Sequence, residues 1–136
     1  RRSCDMGLKE FFSNRTETSE NHQVKELRTR YYKTTKTQAM KVVKEMLEQE
    51  PRITLLDVSE DRGEINAEFI KPKRAYLVVN IITVFPYRTA IDFAIITKTS
   101  LPMDFGYSKK ETLALYERLD KHLEFVGTSL SEKEQV

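Results

Sequence analysis

Apolar and polar residues alternate with two different periods along this chain, and the change of period marks its elements. The segment LRTRYYK, residues 27–33, predicts a short strand. Thr35 followed by Gln38 has capping-box spacing, in which a side-chain oxygen serves the free N–H groups of a helix start. Ala39, Val42, Val43, Met46 and Leu47 then recur at helical intervals, so one helical face is apolar, and Pro51 ends it. ITLLDV (53–58) predicts a strand, SEDRG (59–63) a hairpin turn, and EINAEFI (64–70) a strand that alternates. In that strand Ile65, Ala67 and Phe69 point one way and Glu64, Asn66 and Glu68 the other. KPKR (71–74) turns the chain again. Residues 75–85 form a long β-branched strand, stopped by Pro86, and residues 89–99 form another. Ser108 and Glu111 repeat the capping-box spacing. Leu115, Tyr116, Leu119, Leu123 and Val126 supply the apolar stripe of a last helix, with Gly127 placed as its C′ glycine.

The predicted order is β-α-β-β-β-β-α. Tight turns make consecutive strands antiparallel. Two amphipathic helices covering one face of that meander give a two-layer α+β sandwich of helix-grip type. Residues 1–27 read as a polar, partly disordered leader, 28–127 as the single domain and 128–136 as a flexible tail. Met6, Leu8, Phe11 and Phe12 could make one amphipathic turn against a partner or a membrane. A loosely packed leader takes precedence over that reading. Met6-Gly7 is a candidate native start.

Composition narrows the class. A chain of 136 residues holds one core, and 39% apolar with 32% charged residues suits a small domain with polar flanks. The net charge of +2 gives no field of the kind that draws in nucleic acid. The lone Cys4 has no disulfide partner within the chain, which points to a reducing cytoplasm. The apolar run at 75–85 is too short to cross a bilayer and contains Asn80.

Four stretches together carry a resemblance: RTRYYKTTKTQAMKVV, DVSEDRGEINAEF, FPYRTAIDFAI and PMDFGYSKKETLALYERLDKHLEFVGT. They resemble a group of uncharacterised small cytosolic proteins of spore-forming Gram-positive bacteria. Those in turn are similar to a wider bacterial family of unknown function, in which a helix precedes a meander and a D-x-G-like motif opens the last helix. The similarity runs from Arg28 onward and is diffuse. It implies a fold class and a bacterial cytosolic setting, and it transfers no catalytic residue. The element order is also similar to the helix-grip repeats of an outer-membrane assembly lipoprotein, at the level of fold alone.

Candidate chemistry is sparse. Asp92 within AIDFAII and Asp104 in the following loop could form a carboxylate pair. The simpler expectation is an outward Asp92 beside Arg88 or Lys98, and an Asp104 that caps a turn. His22 and His122 are too few for zinc, Cys4 lacks an activating neighbour, and four glycines provide no phosphate-cradling loop. No metal and no cofactor is expected. Chain direction does bring one set of residues to the same sheet end: Lys71, Lys73, Arg74 and Tyr76 with Asp104, Tyr107, Lys109 and Lys110. Beside a helix N-terminus they would make an electropositive rim for an anion or an acidic partner. The plain alternative, lysines that keep a sheet end solvated, takes precedence. The strand at 75–85 is apolar on both faces, so its second face needs cover from the leader, a second copy or a partner. The sequence therefore reads as a non-enzymatic interaction or adaptor module that engages a protein partner or itself, with no specific nucleic acid. A small-ligand or anion pocket is the second reading, and an enzyme the third.

Overall fold

The computed structural model describes residues 15–98 and 106–128. Among these, seven strands form one antiparallel sheet: β1 Arg15–Glu17, β2 Arg30–Tyr32, β3 Ile53–Ser59, β4 Glu64–Phe69, β5 Ala75–Phe85, β6 Arg88–Thr97 and β7 Phe125–Gly127. Two helices, α1 Lys36–Glu48 and α2 Tyr107–Asp120, pack on it. The strand order is β3-β4-β5-β6-β2-β7. β1 and β2 share the far side of β6, since β1 pairs with Ala94–Ile96 and β2 with Thr89–Ile91.

Pairing register shows why the layers separate. Directly opposed residues point to the same face. Phe69–Ala75, Ala67–Leu77–Ile95 and Ile65–Val79–Phe93 therefore form apolar rows across β4, β5 and β6. All of them are buried, in one cluster with Ala39, Val43, Met46 and Leu47 of α1 and Leu115, Tyr116 and Leu119 of α2. Both helices thus shield one face of an α+β two-layer sandwich. The helical period of the apolar positions places them there, and the period-two alternation of β4 to β6 places the matching rows.

Several elements differ from the sequence expectation. Thr35 does cap α1, accepting from the Gln38 N–H at 3.2 Å. The Ser108–Glu111 box does not form. Gly106 is the N-cap of α2, at φ 84°, with no side-chain cap. Ser108 is buried against Thr16, with Oγ–Oγ1 2.8 Å, and Glu111 turns to Arg52. Tertiary partners outbid the local cap. Gly127 is not a helix terminus, because α2 stops at Asp120 and the chain re-enters the sheet as β7. Residues 15–27, read as leader, contribute β1 and a 3-10 turn at Lys25–Leu27, and Leu27 is fully buried. β1 and β7 span three residues each, and neither sits in a longer extended pattern of the kind that marked β2.

β5 outruns β4, while β2 stays paired with β6 as far as Thr89. Pairing of β4 with β5 ends at Glu64–Asn80, whereas β5 and β6 stay paired out to Phe85–Arg88. The resulting ribbon extends roughly 13 Å past the β3–β4 turn at 3.3 Å per residue.

Candidate functional site

Some of the residues expected at one sheet end lie in contact. The 71–74 turn and the start of α2 are joined by Lys73, whose Nζ lies 5.3 Å from the centre of the Tyr107 ring, a cation–π contact. Tyr107 also meets Phe69 edge-on, with ring centres 6.3 Å apart. Lys109 and Lys110 line a shallow groove of about 400 Å³ along α2 with Gly106, Leu113, Ala114 and Glu117. Lys71 is exposed. Asp104 lies outside the described residues.

Two of the cations at this end are already engaged. Glu68 accepts from Lys98 Nζ at 2.7 Å and from Arg74 Nη1 at 3.2 Å. Lys98 also stands 4.0 Å over the Tyr76 ring. The Lys98 hydrogen bond, with that of Arg74, holds the Glu68 carboxyl below the usual carboxylate range and raises Lys98 in turn. Arg74, Lys98, Tyr76 and Glu68 therefore form a partly neutralised patch on the outer sheet face, two cations sharing one carboxylate, while Lys73 and Tyr107 meet at the start of α2. Of the predicted residues, Lys73 meets Tyr107 and Lys109 adjoins Lys110, while Arg74 and Tyr76 lie on the other surface.

Asp92 is on the outer face, opposite Asn80. Its partners are neither Arg88 nor Lys98. Thr18 and Thr29 both donate hydroxyl bonds of 2.6 Å to its Oδ1. Thr18 also exchanges backbone and side-chain bonds with Phe93, so it bridges the break between β1 and β2. Desolvation pushes Asp92 above the usual carboxylate range; the Thr hydroxyls pull the other way, and the Glu20 charge adds to the rise. Glu20 in turn accepts from the Tyr31 hydroxyl. The threonine partners stand 74 and 63 positions away in the chain, beyond the reach of any local signal.

Two ion-pair groups also escaped the sequence reading. Arg52 donates from both terminal nitrogens to Glu111, at 3.1 and 3.2 Å, and from Nε to Glu50. Arg118 reaches the same Glu50 at 2.9 Å. This group clamps the chain after α1 to α2. Arg30 lies between the Tyr116 and Phe125 rings, 5.0 and 4.8 Å from their centres, and pairs with Asp120 at 2.8 Å. Both groups tie α2 to other parts of the chain.

The outer face is the least conventional surface. Tyr76, Val78, Ala94 and Ile96 adjoin one another there through the pairs Tyr76–Ile96 and Val78–Ala94. Tyr76 is exposed and the other three half-buried, with no helix above them among the described residues. Towards the ribbon end Ile82, Val84, Phe85 and Tyr87 are also exposed. Among the described residues no group of three His, Cys, Asp or Glu side chains could hold a metal, and no helix is long and apolar enough to cross a membrane.

Fold and surface together define a two-layer α+β domain with one open, partly apolar sheet face. A scan against protein-family models, a search of curated proteins and a search of solved structures each found no match.

Proposed function

We propose that this chain is a non-enzymatic protein-interaction module of the bacterial cytosol, and that it engages its partner through the outer sheet face. The supporting observation is the inequality of the two faces of β5. Leu77, Val79 and Ile81 are buried under the helices, while Tyr76 and Val78 on the opposite face stay open to solvent in register with Ala94 and Ile96. An apolar centre rimmed by Glu68, Arg74, Lys98 and Asn66 matches the anatomy of an interface, with an apolar middle and a polar rim. Affinity capture with the wild type and with the double variant Val78→Lys/Ile96→Lys tests the reading. A partner held at defined stoichiometry by the wild type and lost by the variant supports it. Equal recovery by both rejects it.

The groove beside Lys109, Lys110 and Leu113 supports a second reading, a small-anion site at the α2 start. Lys109→Glu with Lys110→Glu would abolish that binding and leave sheet-face capture intact. Titration calorimetry with inorganic phosphate and with citrate distinguishes the two readings.

A further inference from the structure

The β5–β6 ribbon ends in four consecutive exposed residues, Val84, Phe85, Pro86 and Tyr87. Phe85 is 53% exposed and Tyr87 62%, and Ile82 just behind them is 58% exposed. A soluble surface rarely carries an unbroken apolar run of this kind without using it. The backbone adds a second, independent observation. Phe85 pairs with Arg88, so Pro86 and Tyr87 are the two loop residues. Tyr87 has φ +58°, the left-handed region that a bulky side chain seldom occupies. Proline at the first loop position and positive φ at the second is the pattern of a type II turn, where glycine or asparagine is usual. A tyrosine here is held in a strained conformation, yet its ring packs into no core. Strain at an exposed aromatic points to a use for that ring.

The setting of the tip selects its occupant. The hairpin tip passes the β3–β4 turn on one side and the Tyr32–Thr89 pair on the other, so it presents a projecting edge and not a groove. Its cations are set one step back from the apolar end. Arg88 faces Phe85 across the ribbon, and Lys33 follows the Tyr32–Thr89 pair at the same level, with Glu124 beside it. Aromatic and aliphatic residues in front with Lys and Arg just behind complement a bilayer interface. There Tyr and Phe seat at headgroup depth while cations meet anionic headgroups. We propose that the β5–β6 tip docks on an anionic lipid surface, with Phe85 and Tyr87 entering the interface and Arg88 and Lys33 pairing with lipid phosphates or carboxylates. This goes beyond the protein-interaction reading and uses a different surface.

The test is co-sedimentation of the full chain with phosphatidylcholine vesicles containing phosphatidylserine, and with phosphatidylcholine vesicles alone. Binding is expected to the anionic vesicles and to be much weaker to the neutral ones. Phe85→Ser should lower vesicle affinity by roughly tenfold or more, and Arg88→Gln by about fivefold. Tyr87→Gly separates binding from folding, because it relieves the left-handed strain: it should unfold at a higher denaturant concentration than the wild type and still bind vesicles more weakly. Val78→Ser, on the outer face, should bind vesicles as the wild type does. The proposal fails if the wild type sediments with neither vesicle, or if Phe85→Ser and Tyr87→Gly bind as well as the wild type. Capture of a soluble protein through Phe85 and Tyr87 without vesicle binding would also overturn it and make the tip a protein contact.

Discussion

Gly63 and Asp92 are two residues whose environments set opposite expectations. Gly63 closes the β3–β4 turn at φ +65°, and a Cβ there would sit 2.2 Å from the Ile81 carbonyl oxygen. That approach exists because Ile81 N–H donates to the Gly63 carbonyl at 2.7 Å, tying the turn to β5. Gly63→Ala combines a strained φ with a backbone clash, and should lower stability by roughly 2–4 kcal/mol in denaturant unfolding. Asp92 is an acid whose folded pKa is raised, so its ionised form opposes folding at neutral pH. As pH falls through the raised value towards the ordinary 3.8, the wild type regains that stability. Asp92→Asn keeps an oxygen for Thr18 and Thr29 and carries no charge. It should be at least as stable as the wild type at pH 7, with the difference shrinking towards pH 4. A variant clearly less stable at pH 7 would show that the threonine bonds to the carboxylate outweigh its desolvation.

At the scale of elements, α1 and α2 are joined through Glu50, Arg52, Glu111 and Arg118. Burial acts to raise the Glu50 carboxyl, but the Arg52 hydrogen bonds and the charges of Arg52 and Arg118 outweigh it and hold the group below its usual 4.5. A depressed folded pKa contributes stability that is present above the unfolded value and lost as pH falls through the folded one. Glu50→Gln should therefore lose roughly 1–3 kcal/mol at neutral pH, and the loss should fade below about pH 4. Thermal melts across that range measure it. None of this clamp could be read in advance, since Glu50–Arg118 and Arg52–Glu111 join positions 68 and 59 apart. The elements themselves were legible wherever a period had room to repeat. The thirteen residues of α1 and the six of β4 gave their faces away. β1 and β7, at three residues each and outside any longer extended pattern, could not. The Ser108–Glu111 spacing predicted a cap, yet Thr16 and Arg52 offered buried partners that the spacing could not foresee. Of the candidate site, the meeting of Lys73 with Tyr107 at the start of α2 was visible from chain direction. The capture of Arg74 and Lys98 by Glu68 was not, because it depends on the register of β4 to β6.

For the whole molecule, the consequence of placing both helices on one face is that the other face must be stable in water or be covered by something else. Glu64, Asn66, Glu68 and Asn80 keep much of it polar, while Tyr76, Val78, Ala94 and Ile96 leave an apolar centre. Val78 and Val79 are adjacent in the chain and chemically identical, and they point to opposite layers. Val79 is fully buried under the helices, and Val78 is half open. Denaturant unfolding of Val78→Lys beside Val79→Lys asks whether the two faces differ as described. Val78→Lys should unfold within about 1 kcal/mol of the wild type. Val79→Lys, which buries an unpaired ammonium, should lose more than about 4 kcal/mol or fail to fold. Equal and large losses at both positions would contradict the open face and remove the surface on which the proposed interaction rests.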